Sequence, residues 1–236
     1  GRQSRTTGGR SLKLQKGELK LPAGKLATRL QRRQRVGRAT TECLMIHPVE
    51  ALWCHDCETL ELEVKLQAQL IELAGNLLPA VYGDLRQRGI IPTLDGNVLH
   101  FRARDSSAVV RLHVASSDAP ASLTQLTDGE WLGLVDKVGE VIYYTAALPD
   151  WGELPKGELP ETLATAGLKV ASGMKFGTRY RVYRTDEMHA TWLLHLLRDS
   201  DTWLDIVRAV RVAHGVRKSL VASDGKRCLA LEWVKP

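Results

Sequence analysis

The chain has 236 residues, of which 44% are hydrophobic and 25% are charged, and its formal net charge is +6. This composition predicts a globular protein with one large or two ordinary domains, and the lack of an 18-residue apolar run argues against a membrane span. The basic residues cluster at 2–38 and 179–227, which favours an anionic partner such as nucleic acid. The polar start predicts no signal peptide, and four cysteines without a disulfide framework indicate the reducing cytoplasm.

The first 90 residues predict short strands followed by helices. Residues 1–10 are rich in Gly and Arg, and we expect them to be disordered or a remnant of cloning. Residues 11–60 predict a small α+β segment in which the His-Pro pair at 47–48 begins a helix, since Pro suits the first helical position. Leucines recur every three to four residues from 61 to 88, which predicts a helix that restarts at Pro79.

The middle of the chain predicts strands with one short helix at Leu123–Leu126. Prolines, glycines and acidic residues after position 148 make 149–162 the best linker. The predicted strands form two pairs, 98–103 with 108–114 and 131–136 with 140–146.

The final module predicts a basic strand, a buried strand, a helix and a hairpin. KFGTRYRVY (175–183) alternates, which places Tyr180 on the core side and Tyr183 on the face that carries the cations. Thr191–Leu197 is nearly all apolar, so we expect it to be buried on both faces. An amphipathic helix at Thr202–His214 and a hairpin with an Asp-Gly turn follow.

The order helix, glycine, strands, helix, hairpin occurs twice, which predicts an internal repeat. Aligned by element order, three pairs of positions correspond: Phe101 and Tyr183, Ser107 and His189, and Glu140 and Lys218. We therefore predict an α+β protein of two tandem related modules, with mixed or antiparallel sheets and flanking helices. The predicted domains are a degenerate structural repeat at 11–148 and a complete repeat at 163–236.

Three side chains of the second copy suit metal-free RNA cleavage, in which a 2′-hydroxyl attacks the adjacent phosphorus. Tyr183 is the candidate base if the flanking arginines lower its pKa. His189 is the candidate acid, because imidazole titrates near neutrality, and Lys218 would stabilise the charged transition state. The alternative from spacing alone is a surface histidine and a solvated lysine.

A resemblance to a known family gives these residues a context. SGMKFGTRYRVYR, then His189 and RAVRVAHGVRKSLV, resembles the catalytic domain of the tRNA-splicing endonucleases. HPVEALW (47–53) and YGDLRQRG (82–89) resemble that family's amino-terminal part, and the likeness extends over about Lys16–Lys235. The tandem form with a degenerate first half is similar to the archaeal homodimeric enzymes. The resemblance implies metal-independent cleavage of precursor tRNA at bulges beside the intron, leaving 2′,3′-cyclic phosphate and 5′-hydroxyl ends, with no cofactor.

The resemblance also implies the role of each catalytic residue. The family's base is a Tyr that closes the strand after KFG, which is Tyr183 here. Tyr180 is the alternative, because the gap between Tyr183 and His189 is short. His189 matches the family's acid, and Lys218 matches the Lys that follows the helix.

Further residues are expected to contact RNA or a second subunit. The family clamps an extruded base between two arginines; Arg211 falls at the first position and Trp233 at the second, where an indole can stack with roughly 1–3 kcal/mol or simply pack in a strand. We also expect Arg179 and Arg181 to bind RNA. The family docks an acidic loop into a partner, which makes Asp150 a candidate dimer contact, with ordinary linker solvation as the alternative.

Other interpretations remain open at this point. The rival function is a noncatalytic RNA-binding or structural subunit of the same fold. The single CxxC of Cys54 and Cys57 is a weak zinc signal without a second pair, so we expect no metal. His195 lies in an apolar strand and is interpreted as structural. The basic N-terminal stretch is interpreted as a solvated face, with contact to tRNA phosphates as the alternative.

Overall fold

A computed structural model describes residues 12–104, 106–151 and 157–236. The chain divides into two compact units, residues 1–91 and 92–236. Residues 1–10, expected to be disordered or a remnant of cloning, lie outside the described residues, as does the middle of the predicted linker. The two-repeat domain boundaries stay a prediction, although residues before and after that linker share the second unit. None of the described helices is both long enough and apolar enough to cross a bilayer.

The first unit combines a small antiparallel sheet with helices. Its strands are ordered β1-β2-β4-β3. The strands are β1 (Lys13–Gln15), β2 (Glu18–Pro22), β3 (Arg38–Ala39) and β4 (Cys43–Ile46). The helices are α1 (Lys25–Arg29), which continues as a π-helical turn (Leu30–Gln34), α2 (Pro48–Asp56), α3 (Val64–Ala74) and α4 (Leu77–Gln87).

The start of α2 is fixed as the sequence predicts. The amide of Val49 donates to His47 Nδ1 at 3.1 Å, and the amide of His47 donates to the carboxylate of Glu50 at 3.2 Å. This reciprocal capping satisfies amides that have no partner within the helix. Pro48 occupies the first helical position, where its missing N–H is harmless.

The break between α3 and α4 agrees with the predicted restart to within two residues. Helix α3 ends at Ala74, Gly75 follows with a φ of 68°, and α4 begins at Leu77 rather than at Pro79. A positive φ suits glycine and ends the helix there. Pro79 lies in the first turn of α4, where no N–H is needed for the helical hydrogen bonds.

The second unit is built on one ten-stranded sheet, ordered β10-β11-β12-β13-β14-β9-β8-β7-β6-β5. Its first five strands are β5 (Thr93–Asp95), β6 (Val98–Arg102), β7 (Val109–Ser116), β8 (Trp131–Val135) and β9 (Val141–Ala147). The other five are β10 (Leu168–Ser172), β11 (Tyr180–Arg184), β12 (Trp192–Leu196), β13 (Ser219–Ser223) and β14 (Cys228–Val234). Two helices accompany them, α5 (Glu161–Thr165) and α6 (Trp203–Gly215).

The same strand pattern occurs in both halves of this sheet. Within each half all pairs are antiparallel except one, β7 with β8 and β12 with β13. The antiparallel pair β9–β14 joins the halves. Mixed sheets with helices make the protein α+β, as the sequence predicts. Helix α6 has no counterpart in the first half of the sheet, where a loop at 117–130 takes its place.

The two sheet faces bury different clusters. Trp203, Ile206 and Val210 of α6 pack on one face, which we call the α6 face. The opposite face holds a smaller cluster that includes Leu163 of α5. Strand β12 contributes to both clusters, so the prediction that it is buried on both faces is confirmed.

Two local predictions in this unit are wrong. Leu123–Leu126 forms no helix; these residues lie in turns, and both leucines are buried against the α6 face. The basic strand begins only at Tyr180, because Met174–Phe176 forms a 3₁₀ turn that Gly177 ends with a φ of 73°. Apolar spacing alone does not distinguish a strand from a buried loop of this length.

Candidate active site

Neighbouring strands carry the three predicted catalytic residues. Tyr183 lies on β11, and His189 lies in the connection from β11 to β12. Lys218 lies between the end of α6 and the start of β13. All three are therefore at the same end of the β11–β12–β13 segment.

Cross-strand pairing sets the spacing of two of these residues. Val182 of β11 pairs with Trp192 of β12, and Trp192 pairs with Ser219 of β13. Tyr183 and Lys218 are the next residues in the same direction, so they share the following row. Two strand spacings separate their backbones by about 10 Å. The side chains of Tyr183 and Lys218 are long enough to contact the same phosphate group across that distance.

Tyr183 and Lys218 also lie on the same sheet face. Val182 packs in the cluster opposite α6, and Leu220 packs in the α6-face cluster. Because side chains alternate along a strand, Tyr183 and Lys218 both project to the α6 face. In agreement, Lys218 Nζ lies 5.8 Å from the ring centroid of Phe176, which packs against that same cluster.

Lys218 reaches the connection that carries His189. Its Nζ donates to the carbonyl oxygen of Ala190 at 2.8 Å, and Ala190 directly follows His189. Its amide donates to the carbonyl of Ala213 at 2.9 Å, which ties the backbone to the last turn of α6. Arg217, with a φ of 58°, turns the chain from the helix into β13. The ammonium group is therefore held beside the imidazole-bearing loop.

The loop around His189 is short and internally bonded. The amide of Glu187 donates to the carbonyl of Arg184 at 3.1 Å. Thr191 Oγ1 donates to Glu187 Oε2 at 2.6 Å, which closes the loop on both sides of His189. The His189 side chain is exposed. An exposed imidazole on a closed loop can exchange a proton with a bound substrate.

The structure distinguishes the two candidate tyrosines. Tyr180 packs against the cluster opposite α6, whereas Tyr183 projects to the face of Lys218. The Arg181 guanidinium lies 5.9 Å from the Tyr183 ring, so a cation accompanies Tyr183 on that face. This arrangement favours Tyr183 as the residue that shares a substrate with Lys218.

The predicted base clamp lies beside a surface cleft. A cleft of about 740 Å³ has Lys218, His214 and Trp233 in its wall. Trp233 is 60% exposed, which is unusual for a large aromatic side chain and leaves its ring accessible to a base. Arg211 is exposed on α6 but does not line this cleft, and Arg179 is exposed beside β11.

Two further predicted contacts already have partners within the chain. Arg181 Nε donates to the carbonyl of Ser172 at 2.7 Å. Asp150 forms an ion pair with Arg184 at 2.8 Å and remains largely exposed. Contact of Asp150 with a second subunit stays a prediction, and such docking has to compete with this exposed pair.

The strand registers identify the counterpart of Lys218 in the first half of the sheet. Trp131 begins the parallel β7–β8 pair and Ser219 begins the β12–β13 pair. Superposing these starts places Glu130 at the position of Lys218. The predicted correspondence of Glu140 with Lys218 is therefore wrong, because Glu140 lies in the turn between β8 and β9.

The same register shifts the counterpart of Tyr183 by one residue. Leu99 takes the place of Val182, so His100, rather than Phe101, corresponds to Tyr183. A shift of one residue moves a side chain to the other face of a sheet. Ser107 lies in the connection from β6 to β7, which corresponds to the connection that carries His189.

A cluster that sequence reasoning missed surrounds Glu130. Its carboxylate accepts hydrogen bonds from Thr127 Oγ1 at 2.7 Å and from His113 Nε2 at 3.0 Å, and it pairs with Arg111 Nε at 3.0 Å. We call these four residues the Glu130 cluster. Burial raises the pKa of Glu130, but the hydrogen bonds from Thr127 and His113 outweigh burial and the pKa is lowered. The spacing of Arg111 and His113 on one strand face was the available signal.

No group of three potential metal ligands converges in the part of the chain that the structure describes. Cys54 is buried and Cys57 is exposed, and burial raises the pKa of the Cys54 thiol to about 11. His195 is buried and bonded to Asp201 at 2.9 Å, which agrees with its interpretation as structural. Burial raises the pKa of Asp201, but hydrogen bonds from Arg198 and His195 outweigh it and lower that pKa.

Comparison with known proteins places this region in a family. The model for the catalytic C-terminal domain of tRNA intron endonucleases matches residues 161–224, which include Tyr183, His189 and Lys218. The chain is 35% identical over 126 residues to a tRNA-splicing endonuclease of Pyrococcus horikoshii, covering 47% of this chain and 71% of that protein.

Other relatives match over a shorter region. The tRNA-splicing endonucleases of Pyrococcus abyssi and Pyrococcus furiosus are 39% and 46% identical over 80 residues. Each match covers 31% of this chain and 47% of the relative, so the chain spans about half the length of these two proteins. The match to the Pyrococcus horikoshii protein, 35% identical over 71% of that protein, shows that the chain belongs to the tRNA-splicing endonuclease family.

Proposed function

We propose that this protein is an RNA endonuclease that cuts precursor tRNA at its intron–exon junctions, within a bulge–helix–bulge. The observation that carries the proposal is the contact of Lys218 with the carbonyl of Ala190, beside His189, on the sheet face to which Tyr183 projects. In-line attack by a 2′-hydroxyl needs a base, an acid and stabilisation of negative charge, which a phenol, an imidazole and a cation can supply.

The proposed reaction needs only proton transfers and charge stabilisation. Tyr183, as phenolate, removes the proton of the 2′-hydroxyl, and the 2′-oxygen forms a bond to phosphorus. Lys218 offsets the negative charge that develops on the non-bridging oxygens. The bond from phosphorus to the 5′-oxygen breaks as His189, as imidazolium, donates a proton to that oxygen. The products are a 2′,3′-cyclic phosphate and a 5′-hydroxyl.

We propose further that two copies assemble and present two such sites to one precursor tRNA in the cytoplasm. A precursor has two junctions, and each chain supplies one set of Tyr183, His189 and Lys218. The first half of the sheet has His100 and Glu130 at two of the corresponding positions, so it serves as scaffold.

The test is cleavage of a bulge–helix–bulge RNA in EDTA, followed by analysis of the RNA ends. We expect cleavage at both bulges, with 2′,3′-cyclic phosphate and 5′-hydroxyl ends. A 3′-hydroxyl product, or a strict need for Mg²⁺, contradicts the mechanism. The rival noncatalytic subunit predicts that the wild-type protein binds this RNA and leaves it intact.

A further inference from the structure

We propose that a basic surface on the first unit binds RNA phosphates of the precursor outside the cleavage site. This surface, the basic face, consists of Lys25, Arg29, Arg32 and Arg33. The inference rests on the proposed function for the identity of the RNA, but its own evidence comes from residues that the cleavage chemistry does not use.

The basic face is a concentration of unpaired positive charge. The segment 20–41 contains seven Lys and Arg residues and no Asp or Glu. All four side chains of the basic face are exposed. Among the described residues none of the four forms an ion pair, whereas neighbouring Arg38 pairs with Glu18 at 3.2 Å. Such a field attracts a polyanion rather than a single counter-ion.

The four cations converge on one surface. They line a single open depression of about 640 Å³ together with Gly24 and Thr28. From Lys25 to Arg33 the helical segment extends about 12 Å, at about 1.5 Å per residue. A nucleic acid presents its charges every few ångströms along a strand, so a face of this length spans several phosphates.

The side chains match phosphate better than a membrane. Three of the four are arginines, whose planar guanidinium groups bind phosphate oxygens in a bidentate manner. Of the apolar residues of the segment, Ala27 and Leu30 are buried and Leu26 is half-buried. A helix that lies on a membrane needs exposed Trp, Phe or Leu beside its cations, and this face has none.

The fold also anchors this face to the buried core of the first unit. Leu30 is fully buried, and the π-helical turn ends at Arg35 with a left-handed φ of 54°. The amide of Val36 closes that turn on the carbonyl of Leu30. Cations on an ordered segment lose less freedom on binding than cations on a loose tail.

The test compares two triple variants in full chains that also carry His189→Ala, so that the RNA stays intact. Arg29→Gln/Arg32→Gln/Arg33→Gln neutralises the basic face. Lys13→Gln/Lys16→Gln/Lys65→Gln removes the same charge from exposed positions elsewhere in the first unit. Affinity is measured across a salt series for a full precursor tRNA and for a short bulge–helix–bulge RNA.

We expect the basic-face variant to bind the precursor at least about tenfold more weakly than the control variant, with a salt slope reduced by about 2–3 for three lost phosphate contacts. Affinity for the short RNA should stay equal in the two variants. Arg29→Lys/Arg32→Lys/Arg33→Lys keeps the charge and should retain most of the slope, which separates lost contacts from misfolding.

Two outcomes overturn the proposal. The first is equal precursor affinity in the two triple variants, including the case in which the basic-face variant loses only its binding to vesicles of anionic phospholipid. The second is an equal loss of affinity for the short RNA. Cleavage of the short RNA by the chain with native His189 tests the proposed function separately. Failure of the basic-face proposal can therefore be distinguished from failure of the proposed endonuclease function.

Discussion

The parallel strand pairs β7–β8 and β12–β13 begin with the same backbone arrangement but carry opposite charges. Lys218 precedes β13, and its ammonium donates to a backbone carbonyl at 2.8 Å. Glu130 precedes β8 and is enclosed by Thr127, His113 and Arg111. The Lys218 ammonium can therefore still bind a phosphate, whereas the Glu130 carboxylate is already bonded to neighbouring side chains. The fold supplies the position, and side-chain chemistry decides whether it can act on RNA.

The largest expected effect is a loss of cleavage rate on substitution of Lys218 that does not occur on substitution of Glu130. Lys218→Ala and His189→Ala should each lower single-turnover cleavage by about 10²–10⁴-fold, the range for loss of an acid–base or charge-stabilising group. Glu130→Gln should leave the cleavage rate within about threefold of wild type, a difference of less than 1 kcal/mol in barrier. A similar loss in Glu130→Gln would place catalytic chemistry in both halves.

The next effect tests the choice of tyrosine. Tyr183→Phe removes the phenol on the α6 face and should lower the cleavage rate by about 10²-fold or more. Tyr180→Phe is the matched control, because Tyr180 packs against the opposite cluster. Rates for both variants come from the same single-turnover assay. If Tyr180→Phe proves the more damaging, the base has been assigned to the wrong face.

Substitution of Glu130 should lower stability more than substitution of Lys218, the reverse of their effects on cleavage. Glu130→Ala leaves Thr127, His113 and Arg111 without their acceptor, and should lower the free energy of unfolding by about 1–3 kcal/mol. Lys218→Ala loses one partly exposed contact and should cost less than about 1 kcal/mol. Denaturant titrations of the two variants check this difference.

The Glu130 cluster also predicts a pH dependence with a definite sign. The folded pKa of Glu130 is lowered from its ordinary value of 4.5. Its contribution to stability is therefore complete above pH 4.5 and is lost as the pH falls through the folded pKa. Glu130→Gln should unfold with less acid dependence than wild type in that range, and identical profiles would show that Glu130 contributes no such linkage.

The smallest expected effect concerns the loop that carries His189. Glu187→Ala breaks the 2.6 Å bond to Thr191 and should lower kcat by about tenfold, about 1.4 kcal/mol, by letting His189 drift from its productive position. KM for the RNA should change little, because the bond lies in the loop rather than among the groups expected to contact substrate. Glu187→Gln keeps an acceptor for Thr191 and should restore most of the rate. Equal losses in both variants would argue against this bond as the cause.

Local patterns predicted most of the elements. The Asp-Gly turn before β14, the helix start at Pro48 and the apolar strand β12 depend on residues close in sequence, so they could be predicted from it. Gly75 ends a helix that apolar spacing would have continued, and Gly177 ends a 3₁₀ turn where apolar alternation predicted a strand. Apolar spacing indicates which side chains are buried. A glycine with a positive φ can end an element without changing that spacing, so the spacing does not predict where the element ends.

Long-range pairing explains what the sequence did not predict. The pairing of Ala147 with Ala230 joins both halves into one sheet, and no local pattern specifies it. The repeat was recognised from element order, but its alignment missed Glu130, because weak identity cannot set a register to one residue. Tyr183, His189 and Lys218 were proposed from the chemistry of RNA cleavage. The resemblance was needed to prefer them, since spacing alone left the alternative of a surface His and a solvated Lys.

The most direct measurement is a crystal structure with a bulge–helix–bulge RNA whose scissile 2′-hydroxyl is replaced by hydrogen. The account predicts Lys218 Nζ within about 3 Å of a non-bridging oxygen and His189 at a similar distance from the 5′-oxygen. Tyr183 Oη should face the carbon that normally bears the 2′-hydroxyl. A complex in which any of these side chains faces away from the scissile phosphate would contradict the account.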